Sequence, residues 1–274
     1  MKLIILAAGS GTRLRPYTDS LPKCMVPVLG RPLIDRLMDS IRAAGIDNVV
    51  IVRGYQADRL ELSGDDLPAN FSFVLNPEFA TTNMIYSLWT ARHEITDPVI
   101  ISYADILYEP QVLKALIAVP DDISVVVDRD WRAYWERRFD DPLSDAESLS
   151  VDGAGNIESI GQKASDANDI RGQYIGLMKF SGGGVDALTA AMEAHHRGEG
   201  TSTRNFHQMY MTDLLQGMID GGTRIRPVWI DGGWVEVDSV KDLKIAEACI
   251  PAGQATATGG LKIVRDAKGP EAKT

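Results

Sequence analysis

An apolar run of strand length, Leu3-Ile4-Ile5-Leu6, passes directly into Ala7-Ala8-Gly9-Ser10-Gly11. Small residues at this point let the backbone turn sharply and approach a ligand with no side chain in the way. Such a turn aims several backbone N–H groups at one place, which suits phosphate oxygens. Arg13, Arg15 and Lys23 follow closely, so a phosphate chain would meet positive charge as well as donors. Two familiar glycine patterns do not fit. The dinucleotide fingerprint G-x-G-x-x-G needs a glycine where Leu14 stands, and no G-K-[ST] follows Gly9 or Gly11. An isolated G-x-G is most simply a tight strand–helix turn. Here Arg13, Pro16, Thr18, Pro22, Lys23 and Pro27 stand in register behind it, which a plain turn does not require.

The chain then settles into a strand–helix rhythm. Pro32 suits the first turn of a helix whose Leu33, Ile34, Leu37, Met38 and Ile41 share a face, and Gly45 ends it. Strands are predicted at 48–52, 71–75, 98–102 and 123–127. Between them fall a short helix at 56–62, a polar turn at 63–66, a helix at 84–94 capped by Thr81-Thr82-Asn83, and another at 111–118. This order predicts an α/β fold, a largely parallel sheet covered by helices on both faces. Ligands of such sheets bind beyond the carboxyl ends of the strands, where the glycine turn must lie.

Further along, the spacing predicts a hairpin through 152–155, a strand at 172–180 and helices at 185–196 and 205–219. A strand at 224–230 precedes Trp234-Val235-Glu236-Val237-Asp238, and Ser239 caps a last helix over 240–249. Segment 128–149, DRDWRAYWERRFDDPLSDAESL, interrupts the alternation with charge and rings. Helical spacing puts Trp131 and Trp135 on one face with Tyr134 adjacent, as a packed surface helix or as the wall of a pocket. From Pro251 onward periodicity is lost. Residues 1–250 are therefore expected to form the domain, with an insert at about 128–149, and 251–274 a flexible tail.

A net charge of −10 argues against a nucleic-acid partner, while a local Arg/Lys cluster can still serve a nucleotide. Cys24 and Cys249 offer no disulfide framework, and the four histidines show no zinc spacing. No leader-like apolar segment or spanning stretch is read, so a cytoplasmic protein without a membrane partner is expected. Oligomeric state is left open.

Four features fall at loop ends on one side of the expected sheet: the Gly9–Arg13 turn, Lys23, Asp105, and the pair Glu236 and Asp238. Carboxylates from distant strands suit Mg²⁺, which takes oxygen ligands and bridges substrate phosphates. Taken singly, Asp105 reads as a turn residue, Glu236 and Asp238 as solvated edge residues, and Lys163 as an exposed lysine.

The string G-x-G-T-R-L-x-P-x-T, followed by P-K-x-x-x-P-V, resembles the signature of nucleotidylyltransferases that activate sugar phosphates and phosphocholine. Asn76 to Leu88 (NPEFATTNMIYSL), Ser102 to Asp105 and Trp234 to Leu243 (WVEVDSVKDL) are similar to the choline-phosphate cytidylyltransferase branch. The resemblance runs from Met1 to about Ala248. It implies a Rossmann-like mixed, mostly parallel sheet flanked by helices, of the nucleotide-diphospho-sugar transferase type, with a small insert. It implies CTP as donor, with Ala7, Ala8, Gly9, Gly11 and Thr12 around the nucleotide and Thr82 and Asn83 near its base. Mg²⁺ is expected on Asp105 and Asp238, with Arg13 and Lys23 on the triphosphate and the departing pyrophosphate. Lys163 is expected on the phosphate of the acceptor. Phosphocholine is the expected acceptor, its quaternary ammonium facing Trp131, Tyr134, Trp135 and Tyr174, with Glu236 also at the acceptor site. The insert departs from the pattern of choline-phosphate enzymes. Open alternatives are 2-aminoethylphosphonate, inositol phosphate, a sugar 1-phosphate, or a nucleotide-binding regulator without turnover.

Overall fold

The computed structural model describes residues 1–62, 67–202, 204–251 and 261–264. In chain order the first elements are β1 (Lys2–Ala7), β2 (Pro27–Val28), β3 (Arg31–Pro32), α1 (Leu33–Ala43), β4 (Asn48–Arg53) and β5 (Asn70–Leu75). Next come α2 (Met84–Thr90), β6 (Val99–Tyr103), β7 (Ile106–Tyr108), α3 (Pro110–Ala118), β8 (Ile123–Asp128) and α4 (Trp131–Arg138). The rest are β9 (Glu147–Val151), β10 (Ile157–Lys163), β11 (Gln173–Phe180), α5 (Gly183–His196), α6 (Met211–Asp220), β12 (Arg226–Ile230), β13 (Trp234–Glu236) and α7 (Val240–Cys249).

Seven strands form one sheet in the order β12-β8-β11-β6-β1-β4-β5. Neighbours are parallel except where β11 runs antiparallel to both β6 and β8. β1 shows why its apolar run is unbroken. Leu3 and Ile5 pack into the layer formed with α1, α3, α4 and α7, while Ile4 and Leu6 face the layer of α2, α5 and α6. A strand buried on both faces has no solvent side on which to place polar residues. β9 and β10 form the expected hairpin as a separate antiparallel pair.

Several boundaries moved for tertiary reasons. The helix expected at 56–62 is a single 3₁₀ turn, Ala57–Arg59, and the turn at 63–66 lies outside the described residues. The helix expected over 205–219 divides into a 3₁₀ turn, Phe206–Gln208, and α6. Its first backbone carbonyls serve α2 instead: His207 accepts from Asn83 N–H at 2.7 Å and Met209 from Ile85 N–H at 3.3 Å. Most of the expected tail lies outside the described residues, but Leu261 and Ile263 are buried. Ile263 N–H donates to Glu109 Oε1 at 2.5 Å and Val264 N–H to the Cys249 carbonyl at 2.8 Å, so this piece packs on the domain. Among the described residues, no helix is long and apolar enough to cross a membrane.

One small pairing positions the chemistry. β13 runs antiparallel to β7 with Glu236 opposite Ile106, and Val237 N–H donates to the Asp105 carbonyl at 2.8 Å. The residues flanking that bond, Asp105 and Asp238, are thereby brought to the mouth of the sheet beside the end of β1.

Candidate active site

The glycine turn closes onto the segment behind it. Gly11 has φ 58°, and a Cβ there would lie 2.9 Å from Lys23 Cβ, so only glycine suits this position. Thr18 Oγ1 donates to the Gly11 carbonyl at 2.8 Å, and the Tyr55 hydroxyl holds the Thr18 carbonyl at 2.9 Å. The loop thus folds back and delivers Lys23 to the turn. A Cβ built on Gly9 would meet nothing within 4 Å, because that side is open.

The opening is a cavity of about 330 Å³. Ala7, Ala8, Gly9, Gly11, Thr12, Thr82 and Asn83 all line it, as do Arg13, Lys23, Asp105, Glu236 and Asp238. Its far wall is stiffened by buried Asn76, whose Nδ2 donates to Thr82 Oγ1 and Ser87 Oγ, each at 3.0 Å. Asn83 caps α2 by accepting from Met84 N–H at 2.9 Å.

Charge is concentrated at one end. Lys23 Nζ bridges Asp105 Oδ2 at 2.6 Å and Asp238 Oδ1 at 2.5 Å, and Arg13 pairs with the other oxygen of Asp238. Burial alone would lower the Lys23 pKa, but Asp105, Asp238 and Glu236 outweigh it and keep the ammonium charged above the usual lysine range. Burial likewise tends to raise Asp238, yet Lys23 and Arg13 hold its carboxyl below the ordinary range. Glu236 is pushed up to about 7 by burial, with Arg138 opposing and Asp105 and Asp238 adding. Cys24, beside Lys23, is pushed by burial up to about 12 and stays a thiol.

The donor set fits a hard divalent cation. Both Asp105 and Asp238 present oxygens toward the same cavity, and Asp105 Oδ1 is buried with no hydrogen-bond partner. Among the described residues, no group of three or more histidine, cysteine, aspartate or glutamate side chains stands ready to hold a metal. Two carboxylates suffice for Mg²⁺, which keeps waters and takes substrate phosphates for its remaining positions.

A second cavity of about 220 Å³ adjoins the first and shares Arg13, Met84, Tyr103, Glu236 and Asp238 with it. Trp135, Tyr174 and Glu236 line it as the sequence suggests, joined by Asp145, Glu147, Gln173, Tyr210 and Thr212. Tyr103 and Tyr174 meet edge to face with centroids 6.0 Å apart. The Tyr103 ring occupies the space a Cβ on Gly176 would need, where β11 bulges and φ is 83°. Water reaches Glu147 through the cavity, yet its enclosure, then the charges of Asp145 and Asp213, push its carboxyl up to about 7. Asp145 is raised as well, chiefly by burial. Both carboxylates share the cavity with Arg13 and are biased toward the neutral form chiefly by burial.

Three expected residues do not join either cavity. Trp131 is 3% exposed and packs in the core, edge to face with Trp135. Tyr134 lies behind β13, its hydroxyl accepting from Glu236 N–H at 2.8 Å. Lys163 is exposed at the end of β10 and lines neither space. Helical periodicity signals that Trp131 and Trp135 share a face but not which of them reaches a ligand. Tyr103, Gln173, Tyr210 and Thr212 escaped the sequence reading because no local motif marks them; they meet only across the sheet.

Fold and site are suited to nucleotidyl transfer, and sequence comparison shows the class. The MobA-like NTP transferase domain family matches residues 3–198, and the chain belongs to that family. It is 37% identical over 253 residues to the CTP:phosphoglutamine cytidylyltransferase of Campylobacter jejuni subsp. jejuni, spanning 89% of this chain and 98% of that protein. It is 34% identical over 109 residues to the choline-phosphate cytidylyltransferase of Streptococcus pneumoniae, 40% of this chain and 47% of that one. The solved structure of a CTP:phosphocholine cytidylyltransferase from S. pneumoniae superposes with a TM-score of 0.68 at 21% identity, over 90% of this chain and 97% of that one. At that identity the likeness is one of fold.

Proposed function

We propose that this protein transfers a cytidylyl group from CTP to a small phosphorylated acceptor that also carries an ammonium group. The observation that carries the reaction is the Lys23 bridge between Asp105 and Asp238 at the glycine turn. The cytidylyltransferase relatives support CTP as donor. An oxygen of the acceptor phosphate attacks the α-phosphorus of CTP, the bond to the β-phosphate breaks, and pyrophosphate leaves with the electron pair. Backbone N–H groups of the turn bind the triphosphate, and Arg13 and Lys23 neutralise charge that grows on the leaving group. Asp105 and Asp238 would hold Mg²⁺, which when bound supplies further charge neutralisation on the triphosphate. No side-chain nucleophile takes part.

The smaller cavity supports a cationic head on the acceptor. Its carboxylates Asp145 and Glu147 suit a primary ammonium, which donates hydrogen bonds, and phosphoglutamine belongs to that class. Phosphocholine is the second reading, favoured by the rings of Trp135 and Tyr174 in the same cavity. Trp131 and Tyr134, which would have completed an aromatic cage, are packed elsewhere. The test is pyrophosphate release from four NTPs against phosphoglutamine, phosphocholine, 2-aminoethylphosphonate, inositol phosphate and glucose 1-phosphate. Turnover with CTP and an ammonium-bearing acceptor is expected. Preference for a neutral sugar phosphate would overturn the acceptor class, and preference for another NTP would overturn the donor.

A further inference from the structure

Arg138, the last residue of α4, is 4% exposed and lies in the very segment that breaks the strand–helix alternation. A buried guanidinium is costly unless good partners surround it. Its partners here come from β13 and the first turn of α7, on either side of Asp238. One terminal nitrogen lies 2.5 Å from Glu236 Oε2, and Nε donates to Asp242 Oδ1 at 2.9 Å. The rings of Tyr134, Trp135 and Phe139 surround its charge, with centroids at 5.4, 5.0 and 5.0 Å. The other oxygen of Asp242 accepts from Asp238 N–H at 3.3 Å, Ser239 N–H at 2.9 Å and the Ser239 hydroxyl at 2.9 Å. Tyr134, one turn earlier on α4, adds its hydroxyl to the main chain of Glu236. Helix α4 therefore holds β13 through the Glu236 side chain and backbone and holds the first turn of α7 through Asp242. Arg138 itself lines neither of the two cavities at the site.

We infer that Arg138 is a positioning residue for nucleotidyl transfer: acting through Glu236 and Asp242, it sets the Asp238 carboxylate against Asp105. The inference rests on the proposed reaction and gives the insert a role in it beyond walling the acceptor cavity. Lysine is a poor substitute for this arginine, because it has no Nε–H to bind Asp242 while a separate terminal nitrogen faces Glu236. A purely stabilising arginine would behave differently. Its loss would lower the thermal midpoint, because a broken buried pair leaves an uncompensated charge, while kcat and Mn²⁺ affinity of the folded variant held.

The experiment compares wild type, Arg138→Lys, Asp242→Asn and the double variant. Read in parallel are kcat, both KM values, the thermal midpoint, and Mn²⁺ affinity by electron paramagnetic resonance without acceptor. For Arg138→Lys, kcat and Mn²⁺ affinity are each expected to fall about 10–100-fold while both KM values change less than about threefold. Asp242→Asn should act in the same direction, and the double variant should be no worse than the poorer single one, since both break one linkage. Wild-type kcat and Mn²⁺ affinity in folded Arg138→Lys would overturn the inference, as would multiplicative losses in the double variant. Should Arg138→Lys not fold, Asp242→Asn decides alone by the same two readouts. Absence of wild-type turnover with every acceptor would sink the proposed reaction, and Mn²⁺ affinity would then still decide the role of Arg138.

Discussion

The larger of the two cavities draws much of its wall from one stretch of sequence, residues 6–9, 11–13 and 23–24, where the small residues Ala7, Ala8, Gly9 and Gly11 leave the backbone little covered. The smaller cavity is walled by side chains arriving from β6, α4, the approach to β9, β11, the start of α6 and β13. A wall of backbone recognises what every nucleoside triphosphate shares, its phosphates. A wall of assembled side chains distinguishes one acceptor from another, because its charge and shape depend on each contributor. Under the proposed reaction, phosphate binding is thus set largely by one short stretch, whereas the Lys23 cluster and the choice of acceptor belong to the tertiary fold.

The largest expected effect is at the ion cluster. Lys23→Ala should lower kcat about 10²–10³-fold, as loss of a charge-stabilising donor does elsewhere. It also leaves Asp105 and Asp238 facing each other without their shared cation. Pyrophosphate release at saturating substrates measures it, and a folded variant with wild-type kcat would remove the cluster from the chemistry. Gly9→Ala comes next and probes the backbone wall directly. Its methyl would project into the open cavity, so KM for CTP should rise about tenfold, or about 1.4 kcal/mol. The thermal midpoint should hold, since that methyl meets no protein atom within 4 Å. A lowered midpoint with unchanged KM would mean that the turn is only structural.

Glu147→Gln tests the side-chain wall. The KM for an ammonium acceptor should rise about five- to tenfold, with that for CTP unchanged. Because the Glu147 carboxyl is pushed up to about 7, its ionised fraction grows as pH rises from 6 to 8. Wild-type acceptor KM should therefore fall over that interval. The acceptor phosphate titrates there too, so the ratio of wild type to variant is the quantity to plot. The stability sign is opposite. An acid whose folded pKa exceeds its unfolded value of 4.5 loses stability as pH rises toward 7, and Glu147→Gln should remove that loss from the thermal midpoint. A pH-independent ratio would move acceptor recognition away from Glu147.

Smaller effects on turnover separate the paired tryptophans. Both rings are buried, so truncating either should cost stability. Trp135→Ala should also raise acceptor KM several-fold more than KM for CTP, because Trp135 lines the smaller cavity and donates to Asp145 at 3.1 Å. Trp131→Ala should cost about 3–5 kcal/mol of stability, read by chemical denaturation, with both KM values kept. Lys163→Ala, the smallest, should leave all kinetic constants within about twofold, as for an exposed side chain away from the site. A strong acceptor KM effect there would restore Lys163 to the acceptor phosphate and redraw the smaller cavity.

Much of this was legible in the chain because it depends on near neighbours. The Asn83 and Ser239 caps and the hairpin through 152–155 are each set by interactions a few residues apart. The β1 run and the glycine turn are marked by local composition even though distant elements complete them. Rotamer freedom, φ preference and capping act at that range, so a local pattern suffices to specify them. The same range explains why the residues of the glycine turn could be read together from one motif.

Other features had no local signature. Lys23 meets Asp105 across 82 positions and Asp238 across 215, and those meetings depend on the β7–β13 register. The antiparallel insertion of β11, the burial of Trp131 and the docking of Leu261–Val264 depend in the same way on which surfaces remain to be covered. Arg138 is the clearest case. Among the charges of 128–149 it reads like its neighbours, and only packing against β13 and α7 makes it a buried fork between Glu236 and Asp242. Strand propensity and helical period say what an element is. Which side chains meet is decided when the layers close, because burial and ion pairing act between residues far apart in the chain.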